Sequence, residues 1–530
     1  MKWTRHWAAV LAVGLATTLA GCGKVRIGAV EYVEGFFGGV MADEPRAVLV
    51  GRDVLLAGGT AADAAVASYF TMAVTLPNAA SLGGGGVCLV SDPETERTEA
   101  LIFLPTGGGA GPANGLSVAV PGNVRGMFAL HARYGLLNWA NLLQPAEARA
   151  RDGNAISRAF ARELSRAPPS FAGDPEALRV FNGGRLEEGQ IVQQVELAAV
   201  LSRLRSRPGD FYGGLTARQF VESVGSIGGR LTIDDLRNYR PSLAEPLQVE
   251  VGINILSFSP PPVWGGVAAA QMWLMLSDDD RFEDASREQR SHLLAEAGLR
   301  VQADRARRHG QGAAEGADPL AEAHIEALLR GLDPDRHVAI QVPSATPAPR
   351  VTDVVQGAGL VVVDRTGQAV SCAYTMGRPF GVGKLAPGMG ILLAATPPVP
   401  GTEGTPVAVA LLSNPNTQRV FFGAAAAGDA SAASALATVV LETLRGDSEL
   451  EEALARPRVY HPASPDIVYV ESGLDANSRD ALQKRGHELA TVKALSRVSA
   501  FRCRDGLPPG VECRFGADPR GFGLSASADE

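Results

Sequence analysis

The stretch VVQGAGLVVVDRTGQAVSCAYT, Val354 to Thr375, alternates and clusters apolar residues as two β-strands do, around the polar turn Asp364-Arg365-Thr366-Gly367. The first strand opens on Gly357, Ala358 and Gly359, none of which carries a reactive side chain. Upstream, VPSATPAPRVTD at 342–353 is Pro-rich and reads as an internal linker. Downstream, an apolar helix is expected near Ala430 to Leu444.

The N-terminal half alternates the same two patterns. PRAVLVGRDVLLAGGTAADAAVASYFTMAVTL gives a helix, a break at Gly58-Gly59 and a second helix that is apolar nearly all round. LGGGGVCLVSDPETERTEALIF gives a glycine run entering a hairpin. Gly83 to Gly86 lack the following Gly-Lys-Ser/Thr of a phosphate loop, so close backbone packing is the expected reason for them. Residues 127–206 and 276–331 read as mainly helical, the second block with alternating charges that suggest a solvated face. ILSFSPPPVWGGVAAAQMWLML joins a strand to a helix. Strands alternating with helical blocks predict a layered α/β body.

With 530 residues, 46% hydrophobic and 20% charged, the composition is that of an ordinary globular protein. A net charge of -8 supplies no basic footprint for nucleic acid. The 61 glycines and 34 prolines are dispersed, which favours many tight turns and a sheet-containing fold. No His or second Cys pair stands near Cys503 and Cys513, so no metal site is expected there; no cofactor is expected either.

Residues 1–21 have a basic start (Lys2, Arg5), a short apolar run and small residues before Cys22, the pattern of an export signal. LAGC resembles a bacterial lipobox, which makes Cys22 a candidate lipidation site. The other reading is a plain signal peptide with a chance Cys. Lipidation would tether the chain to a membrane, with residues 22–40 as a membrane-proximal tether. Gly23 after the Cys favours the outer membrane, facing the periplasm, in a cell that has one. Cys88 and Cys372 lie in apolar strand-like runs and are expected to pack as small hydrophobes. Cys503 and Cys513 flank a turn-rich segment and are expected to form a disulfide closing a hairpin.

Several stretches together resemble the γ-glutamyltranspeptidase (glutathione hydrolase) family. GGTAADAAVA at 58–67, SLGGGGVCLVSD at 81–92, SVAVPGNVRGMFALHARYGLLNWANLLQPA at 117–146, LTIDDLRNYRP at 231–241, SFSPPPVWGGVAAAQ at 257–271, HLLAEAGLRVQADRAR at 292–307 and GADPRGFG at 516–523 follow the family's order. The resemblance implies an N-terminal nucleophile hydrolase fold, an αββα sandwich, with a large-subunit-like region at 41–341 and a small-subunit-like region at 354–530. In the family, self-cleavage exposes a Thr whose hydroxyl attacks the γ-glutamyl amide while its own amine acts as base. VVVDRTGQAVSCAYT aligns without a gap and puts that Thr position on Gly357. The chain is therefore expected to remain uncleaved.

Other family positions are also altered. The carboxylate-gripping Arg falls on Leu104, and the amine-binding Asp pair on Pro398 and Val399. The Ser pair of the oxyanion pocket falls on Thr405 and Pro406, and its Gly pair on Ala426 and Ala427. Thr375 is retained. These losses imply a catalytically degenerate envelope lipoprotein with a binding or scaffolding role beside an unidentified partner. The alternative is an active γ-glutamyltransferase, glutathione hydrolase or related amidohydrolase using Thr352, Ser371, Cys372 or Thr375. A third reading, a small-molecule binder, would have a cleft too apolar for a zwitterionic glutamyl group.

Overall fold

The computed structural model describes residues 35–109, 116–310, 318–342, 351, 356–396, 406–446, 448–508 and 512–529. The strands of its two large sheets are, in chain order, β1 (Phe36–Ala42), β2 (Gly85–Asp92), β3 (Arg97–Phe103), β4 (Ser242–Ala244), β5 (Leu247–Val251), β6 (Asn254–Phe258), β7 (Gly357–Asp364), β8 (Ala369–Thr375), β9 (Val407–Ser413), β10 (Val420–Ala427), β11 (Arg497–Leu507), β12 (Cys513–Gly516) and β13 (Leu524–Asp529). One sheet has the order β13-β1-β7-β8-β2-β3-β4, the other β12-β11-β10-β9-β6-β5, and neighbours within each run antiparallel.

Side-chain alternation along these strands builds four layers. On β7, Ala358, Leu360 and Val362 point into a core shared with helices α1 (Pro45–Leu56) and α2 (Ala61–Thr75), whereas Val361 and Val363 point between the sheets. On β10, Ala425 and Ala427 meet them there, while Ala424 and Ala426 face α3 (Trp264–Ser277), α4 (Arg287–Gly310) and α5 (Ala432–Leu444). The arrangement is an αββα sandwich. The all-round apolar pattern of α2 is explained, since every one of its residues is buried.

The α2 N-terminus fixes the β7–β8 hairpin. Thr60 and Asp63 form a capping box, a device contributing about 1 kcal/mol. The next two amides, of Ala61 and Ala62, donate to Asp364 Oδ2 at 2.9 Å and Gln368 Oε1 at 3.0 Å. Unpaired helix amides thus find acceptors in the turn of the hairpin. The glycine run at the head of β2 is set by backbone contact: a β-carbon at Gly83 would lie 2.5 Å from Leu392 O, and one at Gly85 2.4 Å from Phe103 O.

Three expectations are corrected. Residues 36–40, read as tether, belong to β1 between β7 and β13. Gly38 and Gly39 are there because β-carbons would strike Val363 O at 2.2 Å and the Phe515 ring at 2.4 Å. Cys88 and Cys372 do not pack as free thiols; they face each other across β2 and β8, Cα atoms 4.1 Å apart, and form a disulfide. The charged pattern of α4 is only in part a solvated face: residues 292–303 are all buried and Glu296 pairs there with Arg300, whereas Arg287 and Arg307 near its two ends are exposed. Cys503 and Cys513 form the expected disulfide across the β11–β12 pair. Cys22 and most of the Pro-rich linker lie outside the described residues. Among those described, no helix is long and apolar enough to cross a membrane.

Candidate functional site

Register brings the start of β7 to one end of the sandwich. Gly357 faces Thr375 on β8, and Thr375 faces Gly85 on β2. Just before Gly357, the Gln356 amide donates to Gly428 O at 2.9 Å, and Gln356 O accepts from Met376 N at 3.1 Å. Thr375 Oγ1 accepts from Gly377 N at 2.9 Å and donates to Gln356 O at 3.4 Å. Its hydroxyl is thus engaged with two backbone groups.

There is no room for a side chain at residues 357 and 359 of β7. A β-carbon on Gly357 would lie 2.2 Å from Tyr374 O and 3.5 Å from the Ala427 methyl. One on Gly359 would lie 2.9 Å from Ala425 O. The Gly359 amide donates to Asp43 Oδ2 at 2.8 Å. Burial pushes the Asp43 carboxyl above its ordinary range, against the opposing pull of Arg497, 3.6 Å away.

The other expected positions are distributed unevenly. Leu104 follows β3 at the same end of its sheet, packs against the inter-sheet core and offers its carbonyl to Tyr239 Oη at 2.9 Å. Pro406 is buried before β9, and its carbonyl accepts from Gly428 N at 3.1 Å. Of the two alanines on β10, only Ala427 faces Gly357; Ala426 points to the helical layer. Ser371 is buried between the sheets opposite Val361, four residue pairs inward from Gly357. Cys372 is held in its disulfide and supplies no thiolate. Thr352, Pro398, Val399 and Thr405 lie outside the described residues. Sequence reasoning missed Asp43, Gln356 and Gly428. Asp43 precedes a helix without any chemical motif, and Gly428 follows the alanine run that drew the alignment.

The family model described as Gamma-glutamyltranspeptidase matches residues 47–396 and 405–528. The chain belongs to the γ-glutamyltranspeptidase family. It is 28% identical over 542 residues to the glutathione hydrolase proenzyme of Pseudomonas aeruginosa, covering 92% of this chain and 94% of that protein. Glutathione hydrolase 3 of Arabidopsis thaliana is 28% identical over 518 residues, covering 87% and 79%. Among solved structures, cephalosporin acylase from Bacillus halodurans superposes with a TM-score of 0.78 at 20% identity, covering 94% of this chain and 96% of that one. The γ-glutamyltranspeptidase of Helicobacter pylori matches with a TM-score of 0.51 at 26% identity, covering 57% and 92%. The sandwich is an N-terminal nucleophile hydrolase fold.

Set within that family, the start of β7 has the γ-glutamyltranspeptidase scaffold without a hydroxyl at 357. Glycine cannot attack the preceding carbonyl, so neither strand cleavage nor acyl transfer can begin at this residue. Ala427 places a methyl group against the same position, and the Pro406 nitrogen can donate no hydrogen bond to an oxyanion.

Proposed function

We propose that this protein is a catalytically degenerate γ-glutamyltranspeptidase-family member, exported and lipid-anchored at Cys22, that stays one uncleaved chain. Its role is then binding or scaffolding at the cell envelope, with an envelope protein as partner. One observation carries the reading: residue 357, on which the motif alignment puts the family's nucleophile, is a glycine packed where a β-carbon would meet Tyr374 O at 2.2 Å. The loss of a cationic clamp at Leu104 and the disulfide at Cys372 support it, since they remove a carboxylate grip and one substitute nucleophile.

The test is the intact mass, denatured and reduced, of the protein from Gly23 onward. A single species at full-chain mass is expected, together with no release of a chromogenic amine from a γ-glutamyl donor. Two stoichiometric fragments, or turnover abolished by substituting Thr352, Ser371 or Thr375, would overturn the reading and make the chain an active γ-glutamyl hydrolase or transferase.

A further inference from the structure

Four of the eight histidines, His292, His337, His461 and His487, converge beside α4. His292 and Glu296 lie one turn apart on α4 and so share a face. His487 follows the helix Ala476–Lys484 and meets that face. We propose that His292 Nδ1, His487 Nε2 and Glu296 Oε1 form a buried binding site for a divalent transition metal, with Zn²⁺ the best chemical fit.

One donor atom from each of these residues lies within 4.8 Å of the others, and all three residues are buried. His292 Nδ1 and His487 Nε2 are 2.8 Å apart, and His487 Nε2 is 3.8 Å from Glu296 Oε1. These separations bracket the roughly 3.3 Å edge of a tetrahedron whose ligands stand about 2.0–2.1 Å from the ion. Two imidazoles and a carboxylate are a zinc donor set, with the fourth position left for water.

Surrounding groups already hold two of the three ligands, His292 and Glu296, in place. His292 Nε2 is 2.8 Å from Asp333 O, which can only accept, so Nε2 carries the proton and Nδ1 presents its lone pair to the site. Ligating histidines characteristically make this outer hydrogen bond. Arg300 binds Glu296 Oε2 at 2.6 Å, leaving Oε1 turned inward, where His337 Nδ1 also meets it at 2.7 Å. Without metal, His487 donates its Nε2 proton to His292 Nδ1, and His487 Nδ1 has no partner among the described residues. On binding, the ion replaces the shared proton, which moves to His487 Nδ1, and the proton count of the pair is unchanged.

This inference is independent of whether the chain is catalytic. The full chain, dialysed against EDTA, is titrated with Zn²⁺ and with Co²⁺. One equivalent is expected to bind, with the strong visible absorption of four-coordinate Co²⁺ and a rise in melting temperature. H487A is expected to bind at least tenfold more weakly and to lose the absorption. H324A, whose ring instead faces Asp304 at 3.1 Å, should behave as the unsubstituted chain does. Should H487A fail to fold, the Co²⁺ spectrum of the unsubstituted chain decides alone. Absence of that spectrum, or equal metal response in H487A, would overturn the site.

Discussion

At Gly357 the lack of a hydroxyl is joined by a steric barrier to any side chain. Tyr374 O, the atom that a β-carbon would meet at 2.2 Å, belongs to the backbone of a central strand and cannot rotate away. Restoring a hydroxyl by G357T should therefore fail to restore cleavage: the intact mass should remain that of one chain, while overpacking lowers stability by about 1–3 kcal/mol in a denaturant titration. Fragments beginning at residue 357 would show that the strand pair can open to accommodate the side chain. The loss itself is legible in sequence because Asp364 fixes the count back along β7 to residue 357. Asp43 and Gly428 are not legible, because they reach this end through hydrogen bonds to Gly359 and Gln356 that no local pattern encodes.

Among the elements, α2, the β7–β8 hairpin and the β11–β12 hairpin are readable because short-range patterns specify them: an apolar run behind a capping box, a polar turn, and two cysteines ten residues apart. β1 and the Cys88–Cys372 pair are hidden for a common reason, that their partners are distant. Gly38 and Gly39 look like tether until β7 and Phe515 are set beside them. Cys88 and Cys372 are 284 residues apart in sequence and become opposed only through the β2–β8 register. Closing so long a loop constrains the unfolded chain, with an entropic ceiling of about 5 kcal/mol. The double variant C88A/C372A should thus melt well below the parent under oxidising conditions, and a thiol reductant should shrink the difference. Equal melting of the oxidised proteins would mean that the two sulfurs contribute only packing.

Across the whole molecule, each sheet draws strands from both sides of the Pro-rich stretch, so the two halves share the core between the sheets and both cores beneath the helices. Near the C-terminus this body is fastened by a buried charge cluster. Asp518 accepts from Val498 N at 2.9 Å, pairs with Arg458 at 2.7 Å and with Arg520 at 3.1 Å, and Arg520 pairs with Glu471 at 2.6 Å. Burial alone would raise the Asp518 carboxyl, but Arg458, Arg520 and the hydrogen bonds outweigh it and hold it below its ordinary value. Its folded form therefore binds a proton less readily than the unfolded chain does. The stabilisation is full above the ordinary carboxylate range, about pH 4, and is lost as pH falls through the lower folded value. D518N leaves the buried Arg458 guanidinium without its paired carboxylate, while Arg520 keeps Glu471, and should cost about 3–5 kcal/mol near neutrality. Acid should erode the parent's advantage, so that the two unfolding free energies converge below about pH 4. A constant gap from pH 7 to pH 3 would locate the effect in lost packing and hydrogen bonds, with no part for the charge of Asp518.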